Sequence, residues 1–323
     1  MLRVDLGIFA HDEAAGIAAM VAGLRAQEAG AGIDLRLLVL ANGCRDDTAL
    51  LARAAGAEVA DLPEGGKSRT WNRFVHDLSR PDAEILVFAD ADITLDGPDA
   101  LARLIRGLAA RPALWVLNSL PVKDAALRGP RNLVERLALK AAGGLDDWKT
   151  AICGQLYAMP AARARRFRLP IGLPVEDGFL RAMVLTDGLT GPEDFSRIDG
   201  LDGLRHLYGS ETTLAGLIRH QERIVIGSAV NAALFGHLRD LPAPARAPEC
   251  ARLAADPAAL RGVIAARLPR WPYGFVPFHF LIKRLARARL SRLMVAILGF
   301  GFDAIVYVRA QIGMARGTGA GHW

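Results

Sequence analysis

Two aspartates one residue apart, Asp90 and Asp92, follow the apolar run Ile85–Ala89. On extended chain, residues i and i+2 point to one side, so the two carboxylates could hold a single hard cation through oxygen. Mg2+ or Mn2+ carrying a diphosphate is the usual partner of such a pair, and the cation would neutralise charge on a departing diphosphate. A helix N-cap followed by a solvated turn would use the same residues. Gly65-Gly66-Lys67 offers backbone amides and a cation at a helix start, which suits phosphate as well as it suits an ordinary loop. Glu176 and Asp177 precede the apolar stretch Phe179–Leu185. There they could complement a helix dipole, or a carboxylate at a pocket wall could take a proton from an attacking hydroxyl. Gln221 and Arg223 could contact a diphosphate or lie on a solvated helix face. The histidines show no metal-like spacing.

These groups need elements to bring them together. Val4–Phe9, Leu35–Leu40, Ile85–Ala89 and Leu114–Leu117 are short apolar runs bounded by polar or glycine residues, and predict buried strands. Glu13–Gln27, Asp46–Ala55, Lys67–Leu78 and Pro98–Ala110 predict helices between them. This alternation predicts an open, mostly parallel sheet with helices on both faces. Ligands of such sheets bind at the carboxyl ends of strands. Ala10-His11-Asp12-Glu13, the run from Asn42 to Thr48, Gly65–Arg69 and Asp90-Ala91-Asp92 all sit at such edges, which points to one polar site.

The order of these motifs is similar to that of the family 2 glycosyltransferases, inverting enzymes with the nucleotide-binding GT-A fold. Their opening Asn-Glu-Glu-like run is matched by Ala10–Glu13, and their Asp-Asp-Gly-Ser-x-Asp-x-Thr run by Ala41–Thr48. The Gly-Lys helix start corresponds to Gly66, Lys67 and Asn72, the metal Asp-x-Asp to Asp90 and Asp92, the Glu-Asp motif to Glu176 and Asp177, and a Gln-x-x-Arg-like element to Gln221 and Arg223. The resemblance covers about residues 2 to 231. It implies a metal, Mn2+ or Mg2+, and a nucleoside diphosphate sugar donor of UDP type. It implies a nucleotide-sugar site of Ala10 (through its backbone), Asp12, Glu13, Asn42, Lys67, Asp90, Gln221 and Arg223. Asp177 would be the base, paired with Glu176. The acidic pair of the base-binding edge is replaced by Ala41-Asn42, which bears on uracil specificity. The Trp that follows the Arg in processive synthases is Ile224. Phe88–Asp92 also resembles the aspartate motif of haloacid dehalogenase phosphatases, but there the pair follows the first strand. A nucleotidyltransferase on a similar scaffold, and a membrane-bound scaffold protein without activity, are the alternative readings.

The chain has 323 residues, 52% hydrophobic, and a formal charge of +6. Only five of its forty basic residues are lysine. With so much alanine, this arginine excess reads as a compositional bias, and nucleic acid is not an expected partner. Eight basic residues and no acidic ones lie between Pro257 and Phe302, and an apolar run interrupted by Asp303 follows. That pattern predicts an anchor on an anionic membrane surface rather than a span, or else helices packed on the catalytic domain. Residues 1–235 are thus expected to form the catalytic domain, 236–260 a Pro/Ala-rich connector and 261–323 a helical tail. Three scattered cysteines imply neither a disulfide framework nor a zinc site, and no signal peptide is evident. The expected location is cytoplasmic, peripheral on the inner face of the membrane. The acceptor is expected to be a lipid-linked or envelope glycan.

Overall fold

The computed structural model describes residues 1–28, 30–142, 148–268, 275, 276, 278, 280–282 and 293–316. Its strands are β1 (Leu2–Ala10), β2 (Ile33–Asn42), β3 (Glu58–Leu62), β4 (Ile85–Asp90), β5 (Ile93–Leu95), β6 (Val116–Lys123), β7 (Leu156–Pro160) and β8 (Ile198–Tyr208). They form one sheet in the order β3-β2-β1-β4-β7-β6-β8-β5. The first four in that order are parallel, as expected for strands linked by helical crossovers. Strand β7 then runs antiparallel to both β4 and β6, while β8 runs parallel to β6. The expected open α/β sheet is therefore present, with a mixed outer half.

The first helices are α1 (Ile17–Arg25), α2 (Thr48–Ala54), α3 (Lys67–Arg73) and α4 (Ala100–Ala109). A π-helical turn, Phe74–Leu78, continues α3. Next come α5 (Asp124–Arg128), α6 (Leu133–Ala142), α7 (Ala161–Ala164) and α8 (Glu176–Thr186). The chain finishes with α9 (Leu214–Asp240), α10 (Ala243–Ala255), α11 (Ala259–Arg267) and α12 (Leu293–Ala315). Alternation along β4 divides the core. Ile85, Val87 and Ala89 pack with α1 and α4 on one face. Leu86 and Phe88 pack with Trp71, Tyr157, Phe179 and α9 on the other. The Trp71, Phe88 and Tyr157 rings are stacked there, and the Trp71 indole donates to the Tyr157 hydroxyl at 3.0 Å.

The Pro/Ala stretch expected as a connector is helical. Pro242 and Pro244 stand at the start of α10, where a missing N–H costs little. Buried Cys250 and Leu253 then anchor the helix to the core. The last helix also shares that core: Val306, Ala310 and Met314 of α12 are buried against the α9 side. Gln311 holds the segment before it, accepting from the Phe275 and Val276 amides and donating to the Val276 carbonyl. Of the eight basic residues of the tail, Arg270, Lys283, Arg284, Arg287, Arg289 and Arg292 lie outside the described residues. Among the described residues, no helix is long and apolar enough to cross a membrane.

Candidate active site

Strands β1, β2 and β4 end side by side, so the segments that follow them meet at one edge. Asn42 closes the second strand and ties it to the glycine loop: its Oδ1 accepts from the Gly66 amide and the Thr70 hydroxyl, each at 2.8 Å. Backbone packs on backbone here. A β-carbon at Gly43 would come within 2.7 Å of Gly65, and Gly66 sits at φ +127, which side chains disfavour. The first residue of α3 is thereby aimed across the edge. Lys67 Nζ lies 2.7 Å from Asp90 Oδ1 and 3.5 Å from Glu176 Oε1, and donates to the Gly154 carbonyl at 3.2 Å. Sequence reasoning placed Lys67 at the nucleotide. The structure makes it the bridge between β4, the loop before β7 and α8.

The carboxylates crowd one another. Burial, partly offset by Lys67, lifts Asp90 to about 6, with the Asp92 and Glu176 charges acting in the same direction. Burial and the charges of Asp92, Asp46 and Asp90 raise Glu13 above the usual carboxylate range. Burial and then the Glu176 charge raise Asp177 to about 6, with Lys67 and Arg223 opposing. Burial disfavours the ammonium of Lys67, but Asp90, Glu176 and Asp177 outweigh it and hold its pKa above the ordinary value. The side chains of Asp90 and Asp92 do not extend from one strand as the spacing suggested. Strand β4 stops at Asp90, and Ala91-Asp92 form a turn into β5. Asp92 is exposed, but its charge still reaches Asp90 and Glu13. Asp90, Asp92 and Glu13 offer hard oxygen donors, the chemistry that Mg2+ or Mn2+ takes, and a divalent cation would relieve their mutual repulsion; their carboxylates influence one another electrostatically but are not gathered within 4.8 Å as a ligand set among the described residues.

Asp177 stands in the first turn of α8 and rests on the loop before β7: a β-carbon at Gly154 would lie 3.4 Å from its Oδ2. Helix α9 positions this turn. Asn231 Nδ2 donates to the Val175 carbonyl at 2.9 Å, and Gly227 leaves no room for a side chain beneath Val175. Arg223, on the same helix, is close enough to act on Asp177 electrostatically. Gln221 is half-buried two residues earlier, next to Glu222, which pairs with Arg309 of α12 at 2.8 Å. Gly154, Gly227 and Asn231 escaped the sequence reading. Gly154, a glycine before the apolar strand Leu156–Met159, carried the one local signal for a close backbone approach.

Asp12 is drawn elsewhere. It takes a left-handed φ of 54, accepts from the Arg45 amide at 2.7 Å, and has a carboxylate oxygen within 4.8 Å of ligand atoms on Cys44 and Asp46. The Ala10 carbonyl accepts from the Cys44 thiol at 3.4 Å. His11 Nδ1 is 2.7 Å from the Asn42 carbonyl, a structural tie.

The chain is similar to a mannosyltransferase from Pyrobaculum calidifontis, solved with GDP-Man and Mn2+, at 17% identity and a TM-score of 0.56, over 96% of this chain and 86% of that chain. The fold is that of the GT-A glycosyltransferases. Glucosyl-3-phosphoglycerate synthase from Mycobacterium tuberculosis is also similar, at 21% identity and a TM-score of 0.49, over 71% of this chain and 78% of that chain. No family model matches the sequence, and no curated protein matches it. Of the expected site residues, Lys67, Asp90 and Glu176 are in contact, Asp177 and Arg223 lie within electrostatic reach of this group, Asn42 ties the glycine loop beside it, and Asp92 stands exposed at the turn after β4.

Proposed function

We propose that this protein is an inverting, metal-dependent glycosyltransferase that moves a sugar from a nucleoside diphosphate sugar to an acceptor hydroxyl. One observation carries the reading: on a GT-A fold, Lys67 ties a strand-end carboxylate, Asp90, to the Glu176-Asp177 turn. Asp90 and Asp92, with Glu13 beside them, would hold Mn2+ or Mg2+. A bound metal would supply charge neutralisation to the leaving diphosphate. The backbone of Ala10, together with Glu13 and Asn42, would line the nucleotide edge, with Asp12 acting there through the Arg45 loop that it holds. Gln221 and Arg223 of α9 would contact the diphosphate, a role supported for Arg223 by its charge acting on Asp177. Asp177 takes the acceptor proton as the sugar carbon is attacked; a pKa near 6 keeps it mostly ionised at pH 7 while leaving it a better base than an ordinary carboxylate. Glu176 holds Lys67 in place.

Residues 1–235 carry this machinery, and residues 261–323 are the membrane-facing element. Support for the latter comes from the outward side of α12. Ile297, Ile305, Val308 and Ile312 are exposed at helical spacing, with Arg309 and Arg316 alongside. Asp303 does not break this stripe, because it is buried on the opposite side of the helix. An apolar stripe edged with arginine suits the headgroup boundary of an anionic bilayer. Arg309 also pairs with Glu222, next to Arg223, so a lipid-linked or envelope glycan would meet the site from the membrane side. Such a protein would work at the cytoplasmic face, in envelope or exopolysaccharide assembly.

Thermal shift with a panel of nucleotide sugars and Mn2+ tests the donor site, because a ligand that binds the folded state stabilises it in proportion to occupancy. One selective nucleotide sugar should raise Tm with Mn2+ and not with EDTA. Stabilisation by nucleoside triphosphates alone, with pyrophosphate released, would favour a nucleotidyltransferase. Sedimentation with anionic and neutral vesicles tests the tail. Pelleting with anionic vesicles only, weakened by salt, is expected; equal recovery in the supernatant from both would contradict the membrane reading.

A further inference from the structure

The loop between Cys153 and Leu156 touches both ends of the proposed reaction. The Gly154 carbonyl accepts from Lys67, and its α-carbon backs the Asp177 carboxylate. One residue on, the Gln155 carbonyl accepts the Asp90 amide at 2.8 Å. If Asp177 is the base and Asp90 belongs to the metal–diphosphate end, the transferred sugar must lie between them, over residues 154 and 155. The side chain of Gln155 is half-buried there, and it is held from behind. Its Oε1 lies 3.2 Å from Nε2 of His206, a fully buried residue of β8. His206 Nδ1 lies 3.0 Å from the Ser119 hydroxyl of β6. Burial keeps this imidazole neutral, pulling its pKa down to about 4. An amide oxygen can only accept, so His206 carries its proton on Nε2, and its Nδ1 accepts from Ser119. In this arrangement the Gln155 amide turns its oxygen toward the interior, onto His206. Its Nε2 takes no protein partner among the described residues, which leaves two N–H donors on the other side.

We propose that Gln155 is a specificity-determining residue for the sugar of the donor: its amide Nε2 donates to a hydroxyl of the transferred sugar, and His206, backed by Ser119, is the positioning residue that sets the amide's orientation. This rests on the donor-site reading above. Neither residue belongs to the motifs that carried the family resemblance. A neutral donor at this point discriminates between hydroxyl configurations without adding charge to a site already dense with carboxylates. Its loss should therefore be felt by the sugar and not by the nucleotide.

The test compares a nucleotide sugar with its sugarless counterpart. Calorimetric Kd values are measured with Mn2+ for UDP-glucose and GDP-mannose, and for UDP and GDP, on the full chain and on Gln155→Ala, His206→Leu and His206→Gln. For whichever pair the unsubstituted chain binds, Gln155→Ala should weaken the nucleotide sugar about three- to tenfold, the range for one neutral hydrogen bond, and leave the nucleoside diphosphate within about twofold. His206→Leu should reproduce that split, while His206→Gln, which can still donate to Gln155, should restore most of the lost affinity. Equal weakening of nucleotide sugar and nucleoside diphosphate would overturn the assignment and make Gln155 a support for Asp90. An unchanged Kd for both in Gln155→Ala would overturn it too. Failure of the unsubstituted chain to bind any of the four would instead overturn the donor-site reading, and this assignment with it.

Discussion

Replacing Asp177 by Asn should make the protein more stable and nearly inactive, and the two effects have one cause. Burial and the neighbouring Glu176 charge raise the carboxyl from 3.8 to about 6. A raised carboxyl pKa means that the folded state holds the proton more tightly than the unfolded chain. Its favourable contribution to folding is therefore complete below about pH 4 and is lost as pH rises through about 6. At pH 8 the ionised group works against folding. The shift of roughly 2 units corresponds to roughly 3 kcal/mol at most. Because Glu176 shares the same field, a gain of about 1–2 kcal/mol is the reasonable expectation for Asp177→Asn at pH 8. At pH 4 the gain should disappear, since the wild-type carboxyl is then protonated. Turnover should fall by about 10²-fold or more, because asparagine cannot accept the acceptor proton, while donor affinity with Mn2+ stays. Urea unfolding at pH 4 and pH 8 without metal, calorimetry with the donor, and a turnover assay measure the three quantities. A stability difference between Asp177→Asn and the unsubstituted chain that is no larger at pH 8 than at pH 4 would refute the electrostatic reasoning. Normal turnover of bound donor would remove Asp177 from its role as base.

Lys67→Met removes the cation shared by Asp90 and Glu176, and breaking a buried pair from one side should cost about 3–5 kcal/mol in metal-free urea unfolding. Added Mn2+ should recover part of that loss. Gly227→Ala would gain up to about 1 kcal/mol from helix propensity alone, but its β-carbon would fall 2.2 Å from Val175 Cγ2. The expected net result is a loss of stability together with a lower kcat, as the Glu176-Asp177 turn shifts; a net gain in Tm with unchanged kcat would show that α9 does not position that turn. Truncation after Ala255 uncovers the core surface that α11 and α12 close with Leu260, Val263, Val306, Ala310 and Met314. The shortened chain should lose cooperative unfolding or precipitate, whereas a soluble fragment with an unchanged Tm would show that the tail is separable.

The parallel half of the sheet was legible because its buried strands leave short apolar runs, Leu6–Ala10 in β1, Leu37–Ala41 in β2 and Ile85–Ala89 in β4, even though Arg3, Asp5, Asp34 and Arg36 stand nearer the strand starts. The mixed half was not. Strand β8 alternates buried and exposed residues around glycines, and its register with β6 shifts between Asn118 and Leu120, so no apolar run marks it. The helix in the Pro/Ala stretch was not legible: Pro242 and Pro244 fall at its start, where they cost little, and burial of Cys250 and Leu253 offsets the cost of Pro248 inside it. The site was legible wherever chemistry leaves a residue type behind: aspartates at strand ends, a lysine after two glycines, a Glu-Asp pair. What could not be read was the coupling among them. That Lys67 spans from Asp90 to Glu176 depends on two loops meeting at Gly43 and Gly65, and on the space α9 leaves at Gly227. Both are contacts between segments distant in sequence.

The claim that ties these residues together is metal-dependent cleavage of a nucleotide sugar at the diphosphate. Phosphorus NMR of the full chain incubated with UDP- and GDP-sugars and Mn2+ reads it directly. The predicted result is a nucleoside diphosphate released from one donor class, abolished by EDTA and by Asp92→Ala even though the variant stays folded. Release of pyrophosphate, or nucleoside diphosphate formed as fast in EDTA or by Asp92→Ala as by the unsubstituted chain with Mn2+, would contradict it.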